Sequence, residues 1–433
     1  MRLLYAKGSN AVQIAEQIAG YIKSGALQAG DLLPPVRQLA QQLGVNPNTV
    51  ASGYGKLRDA GLVATRGRAG TVVLEQPLQA VRQAMAVPPG MQDLASGNLD
   101  PALLPTLTLS TQEVFPQRQG YDMQGDSPAL LQIAGEWIER QGMKADDLAV
   151  FSGALDAIEK ALRCHAPPGA SVWIEDPCWP PLLTLLRHLR LKPLPLPLDE
   201  QGCCLPGSAA ERGCAVILTP RAQNPTGIAF SAARAAEWRA FLARQPDCLA
   251  IVDDFWGPLS QQPLHLPFDG QDGLYIHSVS KYLGPDLRIA LACGNVTLLQ
   301  AMRADQYIRE RWVSHILQQI AAKLWRQVQV QGVLARAQGE YQRRRDRLTS
   351  LLQQRCGLSL PQGEGLHLWL PVRSEAIASQ IMAQRGWLVQ SGEPFRLKSS
   401  PAIRVSLANV TERQLDTLAQ DLCAAVNAQA QVN

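Results

Sequence analysis

Residues 275–288 read YIHSVSKYLGPDLR, and this stretch decides how the rest of the chain is interpreted. It begins with Tyr275 to Ser278, a short apolar run typical of a buried strand. Lys281 and Arg288 follow, and Ser280 supplies a neighbouring hydroxyl group. In such a place a lysine amine is suited to attack an aldehyde, and an arginine to hold phosphate oxygens in bidentate fashion. Alone this pattern is weak support, because most lysines are simply solvated.

Strand-like and helical segments alternate through most of the chain. Three apolar runs of strand length precede the one quoted above: Ser171 to Glu175, Ala215 to Thr219 and Leu249 to Asp253. Each is followed by a longer amphipathic stretch or by one bounded by glycine and proline. This order predicts an α/β body with a mainly parallel sheet, and such sheets bind ligands at the carboxyl ends of their strands.

Further candidate groups lie beside these strands or at a helix start. Asp253 ends a strand, and its carboxylate is suited to face the pyridine nitrogen of a cofactor ring and keep that nitrogen protonated. Asn224, in an Asn-Pro-Thr-Gly turn, is suited to donate to a phenolate oxygen. Ser152-Gly153-Ala154 opens a predicted helix whose free N–H groups attract phosphate, and Trp179 offers a ring to stack on a flat cofactor. The alternative for Asn224 is an ordinary turn without a binding role, and the alternative for Trp179 is a tryptophan of the hydrophobic core.

The first 74 residues have a different pattern, with helical stripes before any strand. Ile14, Ile18 and Ile22 recur every fourth residue and predict a first helix that ends near Gly25. A second helix is predicted from Val36, with apolar residues at i, i+3, i+4 and i+7. Gly44 ends it and permits a tight turn.

A third helix and a hairpin complete this head. Asn46 is suited to cap the helix, Pro47 fits its first position, and its buried stripe is Val50, Tyr54 and Leu57. The second and third helices therefore form a helix-turn-helix. Two short β-like runs follow, Leu62 to Thr65 and Thr71 to Leu74, joined by a glycine-containing loop with Arg66 and Arg68. These arginines are placed to reach phosphates or a minor groove.

The excess positive charge is confined to the head. Residues 1–74 contain eight Lys and Arg against three Asp and Glu, a formal charge of +5, which leaves −1 of the chain's +4 for the remainder. A nucleic-acid backbone would be attracted to this segment. Charge alone also fits an ordinary solvated basic surface.

The length of 433 residues requires more than one folded unit. We assign residues 1–74 to the head, residues 75–93, with Pro77 and Pro88-Pro89, to a partly stiff linker, and residues 94–433 to the body. No apolar run is long enough to span a bilayer, and the first residues lack the apolar core of a signal peptide, so we expect a cytoplasmic protein.

The nine cysteines favour reduced thiols. Their number is odd and none are in CxxC spacing, which argues against a disulfide framework or a zinc ribbon. Cys203-Cys204 is interpreted as two reduced thiols, with a metal site as the minor alternative. No metal site is assigned.

The head resembles the winged-helix domain of GntR-type regulators. The resemblance rests on Leu33 to Ala40, Gly44 to Val50 and Gly70 to Val73. It implies double-stranded DNA as the partner, with Arg37 on a backbone phosphate and exposed third-helix residues facing bases. The residues that we expect to contact DNA are Arg37, Asn46, Asn48, Thr49, Ser52, Arg66 and Arg68. A solvated Arg37 is the alternative.

The body resembles fold-type I aminotransferases, and head and body together resemble the MocR subfamily of GntR regulators. The resemblance implies pyridoxal 5'-phosphate bound covalently to Lys281, and a homodimer in which Tyr121 reaches the phosphate of the partner subunit's cofactor. It also implies that Arg404 pairs with the carboxylate of a small amino compound. For both Arg404 and Tyr121, the alternative is an ordinary surface residue without a binding role. The cofactor-binding set is Ser152, Gly153, Ala154, Trp179, Asn224, Asp253, Ser278, Ser280, Lys281, Arg288 and Tyr121.

The chain departs from these families at several positions. Pro47 stands where an arginine commonly contacts DNA, and Gly53 and Gly55 each cost the third helix roughly 1 kcal/mol relative to alanine. Phe255 stands where the aminotransferase family has a tyrosine whose hydroxyl contacts the phenolate oxygen. Asn224 is then left to hold that oxygen, which weakens the case for efficient transamination.

Two functions compete. One is a DNA-binding transcription regulator whose body senses pyridoxal phosphate or an amino compound, with vitamin B6 or amino-compound metabolism as the expected target. The other is a catalytically active aminotransferase with an added domain. The basic helix-turn-helix favours the regulator. Steady turnover is not expected, and a half-transamination stays open.

Overall fold

The computed structural model describes residues 10–23, 27, 29–59, 61–65, 70–74, 87–106, 120, 125–207, 211–270 and 272–427. These residues form three sheets, of two, eight and four strands, each packed with helices. Within this part of the chain, no helix is both long and apolar enough to cross a membrane.

The head is a helical unit with a small hairpin. Its helices are α1 (Ala11–Lys23), α2 (Val36–Leu43) and α3 (Pro47–Asp59), and its antiparallel strands are β1 (Val63–Thr65) and β2 (Thr71–Val73). One core joins them, with Ile14, Ile18, Leu39, Leu43, Val50, Tyr54 and Leu57 among its buried side chains. The predicted helix-turn-helix and hairpin are confirmed.

The turn between α2 and α3 follows the expected local chemistry. Gly44 has a φ of 68°, in the left-handed region that glycine adopts without strain. The side-chain oxygen of Asn46 accepts a hydrogen bond from the backbone N–H of Asn48 at 2.8 Å, as expected of a residue that caps α3. Gly25, Arg66 and Arg68 lie outside the described residues.

Gly53 has a packing role in α3, although glycine has a low helix propensity. A Cβ atom built there would lie 3.1 Å from the Ala11 carbonyl oxygen and 3.1 Å from Ile14 Cγ2. The absence of a side chain therefore lets α1 and α3 approach closely. Gly55, by contrast, has only the Arg58 side chain nearby, at 3.8 Å.

The body is built on an eight-stranded sheet with the strand order β4-β11-β10-β9-β8-β5-β6-β7. Strands β10, β9, β8, β5 and β6 pair in parallel, while β11 is antiparallel to β10 and β4, and β7 is antiparallel to β6. The predicted mainly parallel sheet is confirmed. The strand bounds are β4 Ala149–Phe151, β5 Ser171–Asp176, β6 Lys192–Asp199, β7 Gly202–Cys203, β8 Ala215–Leu218, β9 Leu249–Asp254, β10 Gly273–Ser278 and β11 Ala290–Gly294.

Helices and two hydrophobic cores cover this sheet. Along β9, Ala250 and Val252 belong to one core, and Leu249 and Ile251 to the other, as the alternation of side chains in a strand requires. The helices are α4 Pro128–Arg140, α5 Ala154–His165, α6 Pro180–His188, α7 Ala232–Leu242, α8 Val296–Ile308, α9 His315–Val330 and α10 Val333–Cys356.

A third core belongs to a smaller sheet near the end of the chain, with the order β12-β14-β13-β3. Its elements are β3 Gln92–Leu94, β12 His367–Pro371, α11 Glu375–Gln384, β13 Trp387–Ser391, β14 Ala402–Ser406 and α12 Glu412–Asn427. Strand β3 pairs in parallel with β13. Strand β3 therefore lies partly inside the segment assigned as linker. Its partner is almost three hundred residues later, too far away for local patterns to reveal.

We predict that the two glycines of α3 respond oppositely to substitution. Gly53→Val should lower the stability of the head by about 1–3 kcal/mol, because the new side chain meets α1. Gly55→Ala should raise it by up to about 1 kcal/mol, because it removes the cost of glycine in a helix without a clash. Hydrogen exchange of the α1 and α3 amides in the intact chain measures both effects. Equal protection in the two variants would contradict the packing role of Gly53.

Candidate functional site

The candidate site lies at the carboxyl ends of β9 and β10, on one face of the large sheet. Asp253 and Ser278 share this face, because each is two residues beyond an isoleucine of the same core, Ile251 and Ile276. The Asp253 side chain is buried, and its Oδ1 atom has no hydrogen-bond partner among the described residues. Burial, and then the charge of Asp254, raise the pKa of Asp253 to about 7. This carboxyl group is therefore poised to bind a ligand that donates to it.

Lys281 lies just beyond the end of β10 and is half-buried. Its Nζ atom donates a hydrogen bond to the carbonyl oxygen of Gly97 at 3.2 Å. Burial, and then the positive charge of Arg404, lower the pKa of Lys281 to about 8. At pH 7 roughly a tenth of this amine is thus neutral, far more than for an ordinary lysine, and a nucleophilic lysine requires this neutral form.

Ser152, Gly153 and Ala154 form the turn into α5, next to Arg288. Gly153 has a φ of 103°, and a Cβ atom there would lie 2.7 Å from Nη2 of Arg288. Arg288 itself has a left-handed backbone, with φ of 49°. The structure therefore brings the predicted phosphate-binding turn and the predicted phosphate-binding arginine together.

One feature of that turn differs from the expectation of free backbone donors. The N–H of Ser152 donates to Oδ2 of Asp156 at 2.9 Å, so it is already used within the turn. The reason is electrostatic, since a carboxylate in the first turn of a helix is attracted to the helix N-terminus. The N–H of Ser280 likewise donates to Oγ of Ser278, at 3.3 Å.

Arg404 lies in β14 and is buried. Its Nη1 atom donates to Oδ1 of Asn224 at 3.3 Å, and its Nη2 atom to the carbonyl oxygen of Ala95 at 2.5 Å. Its guanidinium carbon lies 4.8 Å from the centre of the Phe395 ring, a cation–π distance. Burial lowers the pKa of Arg404 to about 10. Arg404 and Asn224, predicted from distant segments, are thus in contact.

Trp179 and Tyr121 complete the predicted set in the body. Trp179 is half-buried and directly precedes α6. The turn before it is held by Asp176, whose carboxylate accepts from the N–H groups of Leu397 (2.8 Å), Lys398 (2.7 Å) and Ser399 (2.9 Å). Tyr121 lies outside the described residues.

The head presents its predicted DNA-contacting residues away from its core. Arg37, Asn46, Asn48 and Ser52 are exposed and Thr49 is half-buried. On the same helix, Val50, Tyr54 and Leu57 are buried. The outer face of α3 is therefore polar and accessible, as a helix that enters the major groove requires.

Two family comparisons cover nearly the whole chain. Residues 10–73 match the bacterial regulatory proteins of the gntR family, and residues 90–422 match aminotransferase class I and II. The chain is 36% identical over 427 residues to the vitamin B6 salvage pathway transcriptional repressor PtsJ of Salmonella typhimurium. The aligned region covers 97% of this chain and 99% of PtsJ. The chain belongs to the MocR subfamily of GntR-type transcription regulators.

Other similar proteins fit this MocR architecture. The pyridoxine biosynthesis regulator PdxR of Corynebacterium glutamicum is 28% identical over 267 residues, 59% of this chain and 58% of that one. Kynurenine aminotransferase of Pyrococcus horikoshii, solved with PMP, has a TM-score of 0.69 at 20% identity over 79% of this chain and 92% of its own. LysN of Thermus thermophilus, solved with N-(5'-phosphopyridoxyl)-L-leucine, has a TM-score of 0.68 and 18% identity. The match covers 80% of this chain and 95% of LysN. The fold of the MocR body is therefore that of these aminotransferases.

The residues present fit the pyridoxal phosphate that this MocR fold implies. The partnerless Oδ1 of Asp253 needs a donor such as a protonated pyridine nitrogen. Arg288 rests against the bare Cα of Gly153 and so extends over the turn where a phosphate is expected. Lys281 is partly neutral and close to both Arg404 and the strand end that carries Ser278.

Sequence reasoning missed the groups on the opposite face of the sheet. Asp254 is fully buried and accepts from Nε of Arg221 at 3.1 Å and from the Tyr275 hydroxyl at 2.6 Å. Burial alone would raise the pKa of Asp254, but the Arg221 guanidinium more than offsets this and holds it well below its usual range. The signal was the pair of adjacent acids at a strand end, since alternation sends one to each face.

Cys203 ends β7, and Cys204 follows it directly. Cys203 is buried, and Cys204 donates to Oδ2 of Asp199 at 3.4 Å. All nine cysteines are free thiols. Among the described residues, no group of three or more His, Cys, Asp or Glu side chains could hold a metal ion.

We predict that Gly153→Ala weakens the binding of pyridoxal phosphate by about tenfold or more, because its methyl group would displace the Arg288 guanidinium and cost a charge-assisted hydrogen bond. Gly142→Ala is the matched control, because Gly142 also has a positive φ of 80° but faces open space. Fluorescence titration with pyridoxal phosphate measures the affinities. Equal loss in both variants would mean that backbone strain, and not Arg288, is responsible.

Proposed function

We propose that this chain is a transcription regulator that binds DNA through its head and senses pyridoxal phosphate through its body, in the control of vitamin B6 metabolism. The observation that carries the proposal is the buried Asp253 carboxyl group, whose Oδ1 atom has no hydrogen-bond partner among the described residues. Asp253 lies at the end of a strand next to the one that Lys281 follows, and the Gly153–Arg288 contact and the helix-turn-helix head accompany it. The name of the Salmonella relative supports the choice of vitamin B6. We assign the head to residues 1–74, the linker to 75–93 and the body to 94–433, whose first strand extends back to Gln92.

Each residue of the site has a proposed role. Pyridoxal phosphate supplies an aldehyde for covalent attachment and a ring that accepts electrons. Lys281 is the attachment point and Asp253 accepts a hydrogen bond from the ring nitrogen. The phosphate is held by Arg288, by Ser278 and Ser280, and by the turn from Ser152 to Ala154. The Asn224 amide donates to the phenolate oxygen, since its own Oδ1 is occupied by Arg404, and Trp179 covers the ring.

Phe255 favours sensing over steady turnover. It has no hydroxyl group to help Asn224 hold the phenolate oxygen. The next residue, Trp256, is buried and packs against Tyr341, with ring centres 5.6 Å apart, so it belongs to the core beneath the site. A single donor at the phenolate oxygen is sufficient for binding and leaves proton transfer poorly supported.

We further propose a second ligand and a second subunit. Arg404, buried with its Nε atom unpartnered, is the residue to bind the carboxylate of a small amino compound. The active form is a homodimer in which Tyr121 reaches the phosphate held by the partner subunit. This arrangement follows from the resemblance to fold-type I enzymes and from the closed symmetry usual in such assemblies.

We predict that the rate of covalent attachment of pyridoxal phosphate to Lys281 rises with pH with a midpoint at about 8 and levels off above it, because only the neutral amine attacks the aldehyde. Arg404→Gln should move this midpoint upward, because the positive charge of Arg404 lowers the pKa of Lys281. Stopped-flow absorbance gives the rates. Lys281→Ala is the control: after borohydride reduction and peptide mass analysis it should carry no label, and a label on another lysine would refute the assignment.

We predict two classes of effect on DNA binding. Arg37→Ala should weaken binding to all sequences alike and flatten the salt dependence by about one unit of slope, because it removes a phosphate contact. Asn48→Ala should cost roughly 1–3 kcal/mol on the preferred site only, because it removes a base contact. Affinities for genomic fragments at several salt concentrations test both. If no fragment binds better than random DNA while the protein steadily turns over an amino donor, it is an aminotransferase instead.

A further inference from the structure

A three-residue segment directly after the first strand of the body contacts the two cations of the candidate site through two of its backbone carbonyls. We call Ala95, Ser96 and Gly97 the strap. The carbonyl oxygen of Ala95 accepts from Nη2 of Arg404 at 2.5 Å, and that of Gly97 accepts from Nζ of Lys281 at 3.2 Å. The two cations that we assign to ligand binding are thus bonded to backbone carbonyls of one short segment.

The strap has a defined shape set by Asp93. The Oδ1 atom of Asp93 accepts from the N–H groups of both Ala95 and Ser96, each at 2.9 Å. These bonds form a tight turn directly after β3. The Cα of Gly97 faces the buried His367 ring, since a Cβ atom there would lie 3.6 Å from Cε1 and Nε2 of that ring. The orientation of both carbonyls therefore depends on one carboxylate.

Both ends of the strap are fixed, but at different places. On its downstream side, Asp100 accepts from Arg344 at 2.8 Å, and the Asp100 N–H donates to the Tyr341 hydroxyl at 3.2 Å. On its upstream side, β3 pairs with β13, and the chain before β3 is the segment that leads back to the head. A change in the strap thus occurs close to where the linker meets the body.

We infer that the strap is the sensing element of the body: ligands displace its carbonyls from Lys281 and Arg404, and the release is transmitted to β3, the strand that directly precedes the strap. This inference rests on the proposed function. When Lys281 condenses with an aldehyde, its nitrogen forms a bond to the aldehyde carbon, and the aldehyde oxygen leaves as water with both hydrogens of the neutral amine. Gly97 then loses its donor.

A carboxylate ligand acts on the other contact. An anionic oxygen is a stronger acceptor for a guanidinium than a neutral carbonyl, so it replaces the Ala95 oxygen on Arg404. The strap therefore reads two chemical classes separately. An aldehyde breaks the Lys281 contact, and a carboxylate breaks the Arg404 contact.

Asp93→Ala tests the inference, because it removes the acceptor that shapes the strap. It also removes a negative charge that raises the pKa of Arg404, and Asp93→Asn, which loses the same charge but keeps an oxygen acceptor, separates the two effects. Binding of one ligand and release of the strap are reciprocal, so the variant should bind pyridoxal phosphate more tightly than the wild type in the absence of DNA. The factor by which pyridoxal phosphate changes DNA affinity should fall from about fivefold or more to within about twofold of unity. Asp93→Asn keeps the oxygen acceptor and should retain the wild-type coupling, and Ser96→Ala is the control within the strap.

Hydrogen exchange supplies a measurement that does not depend on DNA. Adding pyridoxal phosphate to the intact protein should speed exchange in peptides that cover residues 92–100, because the turn amides lose protection when the strap is released. If exchange in these peptides is unchanged after covalent attachment, the inference that ligands release the strap is wrong, whatever happens to DNA binding. Faster exchange without any change in affinity for the tightest genomic fragment supports the strap but overturns the proposed sensing function.

Discussion

The candidate site depends on a division between two adjacent acids at the end of β9. Side-chain alternation sends Asp254 into one core, where Arg221 and Tyr275 satisfy it, and Asp253 to the other face, where its Oδ1 has no partner. Burial of this carboxyl group, and then the negative charge of Asp254, disfavour its ionised form, so its pKa rises. The parallel sheet holds Asp253 in this state, and a ligand that donates to it recovers the lost interaction.

Local chemistry explains what the sequence predicted well. Lys281, Asp253 and Asn224 each follow a recognisable strand or lie in a turn, and parallel strands bring such ends together. The helix-turn-helix was equally legible, because Gly44 and Asn46 act on their immediate neighbours. For Gly53, the sequence showed only the unfavourable helix propensity of glycine. The close approach of α1 that Gly53 permits does not appear in the local pattern of α3.

Long-range pairing explains what was missed. The partner of β3 lies almost three hundred residues further along the chain, in β13. The partner of Ala95, Arg404, lies 309 residues further along, and no periodicity links such positions. The contact between Lys281 and Gly97 is of the same kind. The use of the Ser152 N–H by Asp156 is local, but its priority over a phosphate depends on the balance of charge at the start of α5 and not on spacing alone. Tyr121, Arg66 and Arg68, with the domain boundaries and the site roles, stay predictions.

The partners of the two cations bear on the sensor that we propose. An enzyme site is most effective when its charged groups are already oriented for the reaction and need not exchange partners. In this chain, Lys281 and Arg404 both donate to neutral backbone carbonyls. A neutral acceptor satisfies a buried cation but binds it less strongly than an anion does, so an anionic ligand is able to displace such an acceptor. A ligand shifts an equilibrium only by its different affinity for the two states, and the exchange of a carbonyl for a covalent bond or a carboxylate provides that difference. The backbone of residues 95–97 is thus suited to report occupancy, because it is the group that must move when either cation changes its partner.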